Sequence, residues 1–339
     1  MLYFKRMFLK VVNMSNWLLF WSTTSLIFFS TYFIAYLEPE TFPTLFDALW
    51  WVMTTVTTVG YGDFYPVSVA GRVYAIFLYV VGIGAIGVVI GKVVDAFGIW
   101  RKKREEGKLD YNGTGHIVLI GWSKKASYAV KEIMESEEDI DVVIIDTLEK
   151  SPLLTEKIHY IQGEGSDENI LMQANLKEAR AVLVFADDNI QNSALADGKT
   201  LLIAAAIERL SSDVHVTVEV LKEEHIKSFE HANVEEFVLT HETISHLAVR
   251  SALSNGISSI YSQLMSRGIG DDLYEVAVRS SWRTYRDAFN ALLSEGATLI
   301  SDGSQLNINR KLDEPISDDA RLYVICNRET YQRISEKIT

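Results

Sequence analysis

The 339-residue chain carries 32 Lys and Arg against 45 Asp and Glu, a formal charge of −13, and a single cysteine, Cys326. So acidic a chain lacks the basic face that nucleic-acid binding needs, and one cysteine excludes a disulfide framework or a Cys-rich metal site. The charge is uneven: the first 112 residues hold 10 basic and 8 acidic side chains and the remainder 22 and 37, so the acidity lies in the last two thirds.

Asn16 to Tyr36 runs 21 residues without a charge, about 31 Å as a helix and so the thickness of a bilayer core. The run is too long for a signal peptide and lacks a small-residue cleavage site, so it reads as a first membrane span. A second uncharged stretch, Val73 to Gly91, lies between Arg72 and Lys92 and reads as a second span. Lys5, Arg6 and Lys10 precede the first span, and Arg101, Lys102, Lys103 and Arg104 follow the second. The segment between carries Glu38, Glu40, Asp47 and Asp63 against Arg72. The positive-inside rule then places a multi-pass chain in the plasma membrane with both termini cytoplasmic. No helix shows regularly spaced arginines, so no voltage sensor is expected.

Leu45 to Thr57 is also apolar but only about 20 Å long as a helix, too short to cross. A helix that stops inside the membrane leaves backbone groups unpaired, which is tolerable only against protein or a water-filled cavity. It is read as a re-entrant pore helix. Thr58-Val59-Gly60-Tyr61-Gly62-Asp63 follows it. Two spans around a short helix and this hexapeptide resemble the prokaryotic two-span potassium channels, whose filter has this sequence. The mechanism the resemblance implies is theirs. Oxygens of Thr58, Val59, Gly60, Tyr61 and Gly62 replace the hydration shell of K+, with four identical chains around one axis in the bilayer. Gly60 and Gly62 supply backbone freedom, the Thr58 hydroxyl supplies the innermost ring, and Tyr61 marks the potassium-selective class. The resemblance also pairs Trp50 with Asp63 behind the filter, and puts Thr54 where some relatives carry a glutamate.

In the second span Gly82, Gly84 and Gly87 weaken the helix, each by about 1 kcal/mol relative to alanine. Gly84 matches the family's gating hinge; close helix packing is the alternative for these glycines. Asp95 and Phe97 fall towards the inner mouth, Phe97 as a candidate for the narrow part of a closed pore.

Beyond a charged connector, residues 100–115, strands alternate with helices. His116–Gly121, Asp141–Asp146, Tyr160–Gln162, Ala181–Phe185 and His215–Val220 read as strands, with helices at Lys125–Ser136, Glu168–Ala174 and Asn192–Arg209. That spacing predicts a parallel, doubly wound sheet. Its first turn, Gly121-Trp122-Ser123-Lys124-Lys125-Ala126, departs from the dinucleotide fingerprint because Ser123 replaces the second glycine. Asp146 ends the second strand, where an acid can hold a ribose hydroxyl. A nucleotide site at Gly121, Trp122, Ser123 and Asp146 and a purely structural turn both fit this pattern.

Following a two-span pore, this region resembles the RCK (regulator of potassium conductance) domain. The HIVLIGWS opening, Asp146, the Gln162–Gly165 turn and AVLVFADD carry the resemblance. The chain is therefore expected to be an α-helical membrane pore (1–99), a linker (100–115) and an α/β Rossmann-like lobe (116–240). A helix–turn–helix dimerisation arm (241–265) and a small α+β C-terminal lobe (266–339) follow, with strands at Tyr274–Val278, Thr298–Ile300 and Leu322–Cys326. The resemblance implies a cytoplasmic gating ring that pulls on the inner helices when a ligand binds, with Ca2+ and an NAD- or ADP-type nucleotide as candidates. The acids of calcium-gated relatives are incompletely matched here, leaving Asp187, Asp188 and Glu219 as candidate metal ligands. The family's ring takes eight such domains and each chain supplies one, so additional copies are a further expected partner. The nearest methionine after the pore, Met134, already lies inside the domain. A membrane-anchored nucleotide-dependent oxidoreductase is the alternative function, disfavoured because such an enzyme has no use for Thr58–Asp63. No enzyme activity is expected.

Overall fold

A computed structural model describes residues 15–136, 139–266, 270–317 and 319–336. Lys5, Arg6 and Lys10 lie outside them, as does the end of the C-terminal lobe. Contacts divide the chain into two units, Met1–Lys103 and Arg104–Thr339.

The first unit is built from α1 (Asn16–Leu37), α2 (Leu45–Val56) and α3 (Val69–Glu105). Ser15 caps α1 by accepting the Leu18 N–H, and Thr44 and Asp47 form a reciprocal capping box on α2, each satisfying N–H groups that a helix start leaves open. Ile34 from α1, Trp51, Val52 and Val56 from α2, and Ala75 and Leu78 from α3 form the buried core. The Tyr74 hydroxyl donates to Ser30 Oγ at 2.8 Å, joining α3 to α1. Both long helices have the length and apolar composition to cross a membrane. The second span begins earlier and ends later than its apolar run, covering 37 residues. No proline interrupts it, and Arg101–Arg104 are residue types that sustain a helix.

One side chain ties two helices of this unit together. Glu38, only 5% exposed, accepts from the Val67 N–H, the Ser68 N–H, the Ser68 hydroxyl and the Thr41 hydroxyl at 2.6–3.0 Å. The end of α1 is thereby tied to the residues that start α3. Burial alone would raise its carboxyl, but the Ser68 hydroxyl and the two N–H groups outweigh that and hold it below the usual carboxylate range.

The second unit opens on an anchored segment. Arg104 donates to the Thr155 carbonyl, and the Ser151 N–H donates to Glu105. Beyond Glu105, the carbonyls of Gly107, Leu109 and Gly113 meet the Gln162 N–H, His159 Nε2 and Asn175 Nδ2. The Tyr111 N–H donates to Gln173, and its hydroxyl donates to Asp141 at 2.8 Å. The Tyr111 ring lies 4.5 Å from His116 and 5.5 Å from His159, centroid to centroid. Residues 104–115 thus pack as part of this domain, within the 100–115 stretch expected to be a linker.

The sheet follows with β1 (Ile117–Ile120), β2 (Val142–Asp146), β3 (Ile158–Gln162), β4 (Ala181–Val184), β5 (His215–Val220) and β6 (Glu236–Leu239). All pairs are parallel, in the order β3-β2-β1-β4-β5-β6. Helices α4 (Lys124–Ser136), α5 (Glu168–Gln173) and α6 (Ser193–Leu210) cover it. Alternating strand residues sort to two cores: Leu119 and Ile144 pack with Ala126 and Val130 of α4, and Ile120 and Ile145 with Leu171 and Ile203 of α5 and α6. This is the period-two logic of a sheet buried on both faces. The sixth strand was not anticipated; it is short and half-exposed, so no apolar run announces it.

Helices α7 (Thr240–Leu253) and α8 (Ile257–Leu264) come next, with no buried side chain in either. Ile244, Val249, Leu253, Ile260 and Tyr261 stand exposed on them. The last lobe pairs β7 (Asp272–Val276), β8 (Thr298–Asp302) and β9 (Leu322–Cys326) antiparallel in the order β7-β9-β8, with α9 (Tyr285–Glu295) and α10 (Arg328–Glu336). Tyr274, Leu299, Val324, Leu292 and Ile334 share its core.

Candidate functional site

Beyond the capped helix α2 the backbone turns sharply. The Val59 and Gly60 N–H groups both donate to the Thr54 carbonyl, at 2.9 and 3.1 Å, so the helix end carries the start of the loop. Thr58, Gly60 and Gly62 have φ of 62°, 56° and 75°, and Val59 and Tyr61 between them do not share the positive sign. Such alternation turns successive peptide planes to the same side and lines up their carbonyls. A Cβ on Gly60 or Gly62 would meet nothing within 4 Å, so these glycines are required by conformation, not space. Thr58 holds a positive φ despite a β-branched side chain, a local strain of the kind that functional loops store.

The loop is braced from behind. Trp50 Nε1 donates to Asp63 Oδ2 at 2.8 Å, and Asp63 Oδ1 accepts the Phe64 N–H. The Tyr61 ring stacks on Trp50 at 5.7 Å and 2°. The Thr54 hydroxyl donates to the Trp51 carbonyl, so that position has no contact with Asp63.

The inner-helix glycines separate by their surroundings. A Cβ on Gly82 would lie 2.6 Å from Val56 Cγ1, so Gly82 serves packing against α2. At Gly84 and Gly87 a Cβ meets nothing within 4 Å, so the packing explanation does not extend to them within the chain. Gly84 stays the candidate hinge.

In the second unit a cavity of about 150 Å³ opens at the C-terminal ends of β1, β2 and β4, the crevice where doubly wound sheets bind ligands. Gly121, Trp122 and Asp146 line it, with Glu164, Asp187 and Lys199. Gly121 has φ of 92°, and a Cβ there would stand 3.1 Å from the Phe185 carbonyl. Asp146 Oδ2 accepts the Trp122 N–H at 2.6 Å, while Oδ1 accepts only the Leu148 N–H at 3.2 Å, leaving capacity for a ligand hydroxyl. Ser123 is not among the lining residues; its hydroxyl accepts the Ala126 N–H in the first turn of α4. Lys199 and Glu164 were missed in the sequence. Lys199 follows Asp197 and Gly198 early in α6, ahead of the apolar run that begins at Leu201, and no local signal marks it.

The candidate calcium ligands do not come together as a metal site. Lys125 Nζ sits 2.7 Å from Asp188 and 2.8 Å from Glu219, and Lys199 Nζ sits 2.9 Å from Asp187. Among the described residues no group of three or more His, Cys, Asp or Glu side chains is placed to hold a metal. The sequence showed the acids; it did not show that two lysines of helices α4 and α6 would occupy their oxygens. Burial would raise Asp187, but Lys199 beside it holds the carboxyl below its ordinary range.

Residues 16–98 match the ion-channel family, and residues 117–240 match the TrkA-N domain. The chain is 32% identical over 210 residues to the protein YugO of Bacillus subtilis, covering 62% of the chain and 63% of the relative. It thus spans under two thirds of that relative's length. It is 28% identical to the calcium-gated potassium channel TvoK of Thermoplasma volcanium, over 86% of the chain and 84% of that protein. In fold, the chain is similar to the GsuK channel, with a TM-score of 0.50 and 18% identity over 72% of this chain and 64% of that one. The human SLO3 gating ring gives 0.51 and 10% identity, covering 65% and 46%.

Proposed function

We propose that the protein is a potassium-selective channel of the plasma membrane whose cytoplasmic domains form a ligand-responsive ring. The observation that carries the reading is the loop Thr58–Gly62, with φ alternating in sign, held by α2 and braced by Trp50 and Asp63. One such loop supplies ligands on one side of an ion only, so four copies around an axis complete the shell. Trp50, Val59 and Tyr61 are exposed in the single chain, as a surface meant for neighbouring copies would be. The exposed apolar side chains of α7 and α8 support pairing of the cytoplasmic domains between chains. Both termini lie on the cytoplasmic side.

A small regulatory ligand binds the cavity beside Gly121 and Asp146. The residues lining the cavity suit a nucleoside, with Asp146 Oδ1 free to accept a ribose hydroxyl and Lys199 the cationic side chain among them. Its two further carboxylates, Glu164 and Asp187, disfavour a heavily charged phosphate chain. The ligand acts only through different affinity for the open and closed states.

Purified protein in liposomes under a potassium gradient tests the pore. Potassium flux that exceeds sodium flux at least tenfold, lost in G60A and G62A, is the expected result. Selectivity surviving either substitution would overturn the assignment. Adenosine, with ADP and NAD beside it, added on the cytoplasmic face tests the cavity; a response that persists in D146A would remove the ligand from this place.

A further inference from the structure

Glu219, at the end of β5, is 2% exposed, and a buried carboxylate needs charge compensation in place of lost water. Lys125 Nζ meets its two oxygens at 2.9 and 2.8 Å. The Ala186 N–H donates to Oε2 at 2.9 Å, and the Thr240 hydroxyl donates to Oε1 at 2.5 Å. Lys125 also reaches Asp188 at 2.7 Å. One ammonium thus stands among three carboxylate oxygens. The groups it gathers belong to the first turn of α4, the loop after β4, the end of β5 and the first residue of α7.

A calcium ion in this place would demand six to eight oxygens at roughly 2.3–2.6 Å. The ammonium occupies the centre that such an ion would need, and its distances are those of charge-assisted hydrogen bonds. The donor set therefore does not fit calcium, although a relative similar over most of the chain is calcium-gated.

We propose that Lys125 is a built-in cation. Its ammonium takes the position between Glu219 and Asp188 that a regulatory divalent ion would hold, and with no soluble ion it neutralises Glu219, the carboxylate that accepts from Thr240 at the start of the α7 arm. Calcium does not regulate the protein through this site. The inference rests on the reading of the second unit as a regulatory domain, and its test reads binding and backbone protection, not flux, so that failure of the pore assignment leaves it intact.

The experiment uses the full chain in detergent, freed of divalent ions and titrated with CaCl2 from micromolar to about 10 mM, the span of known calcium sites. Thermal unfolding and amide exchange across Thr240–Leu253 are followed together. Wild-type protein, E219Q and D188N are expected to show the same calcium response. In K125M, exchange of the first turns of α7 rises, and calcium lowers it again while binding at least tenfold more tightly than to wild type. In K125M/E219Q the calcium effect is absent. Wild-type protection that rises with calcium and disappears in E219Q would overturn the proposal, as would a folded K125M that gains no calcium binding. Should K125M not fold, the neutral pair K125M/E219Q and the wild-type arm decide between the same two outcomes.

Discussion

Gly71 and Glu38 are expected to act as one unit, and an alanine at position 71 tests this. A Cβ there would lie 2.0 Å from Glu38 Oε1 and 2.8 Å from Cδ, so G71A expels the carboxylate from its socket. The Val67 and Ser68 N–H groups, part-buried, then lose their acceptor, at roughly 1–3 kcal/mol for each hydrogen bond to a charged group. Alanine returns about 1 kcal/mol as the better helix former, so G71A should cost a net of about 1–5 kcal/mol. E38A removes the same acceptor and should cost about 2–6 kcal/mol. In the E38A background the socket is empty, so adding G71A should be neutral or stabilising by up to about 1 kcal/mol. Unfolding of the solubilised chain by SDS titration, followed by circular dichroism, measures all four proteins. Equal costs of G71A with and without Glu38 would refute the coupling and assign the cost to Pro66, whose Cβ would be 2.9 Å away.

D63N weakens the Trp50 bond, worth about 1.5–3 kcal/mol for a charged acceptor; faster loss of potassium current in bilayers is expected, and an unchanged rate would show the brace idle. G82A drives a methyl group against Val56 and should destabilise by about 1–3 kcal/mol. G84A has open space and should stabilise the helix by about 1 kcal/mol while shifting open probability in single-channel records. His116 is fully buried, with Nε2 against the Ala174 carbonyl and, among the described residues, no partner for Nδ1. Burial lowers its pKa below 6.5; Asp141 opposes that shift and His159 adds to it. The unfolded chain therefore takes the proton first. Stability should fall as pH drops below about 6.5, by up to about 1.4 kcal/mol per unit, and level off below the depressed native value. Thermal unfolding from pH 8 to 5 should show this slope, reduced in H116Q.

Much of this molecule could be read from its sequence, for reasons that differ by region. Uncharged runs of membrane length announced α1 and the core of α3, and the Thr58–Asp63 hexapeptide announced the loop, because both signals are local. Strands β1, β2 and β4 were legible from continuous apolar runs and β5 from its alternating valines, whereas β6, with Glu236 and Val238 facing outward, is marked by neither pattern. The brace between Trp50 and Asp63 was legible only through resemblance. The lysines were not legible at all: Lys125 and Glu219 are 94 positions apart, and only the folded sheet shows which carboxylate an ammonium neutralises. The charged connector misled in the same way. Lysines, acids and glycines between Arg101 and Gly115 suggest a solvated tether, but the partners that fix it, such as His159 and Gln173, come from elements far along the chain.

That anchored segment bears on where the second unit can be cut. A fragment starting at His116 would lack Tyr111, which covers His116 and His159 and binds Asp141. One starting at Met134 would lose β1, the central partner of both β2 and β4. An independently made copy of this domain, or a transplant of it onto another membrane helix, therefore has its natural seam at Lys103 and Arg104. The modular joint lies inside an uninterrupted helix, so grafting must preserve helical phase across it and not merely the number of residues.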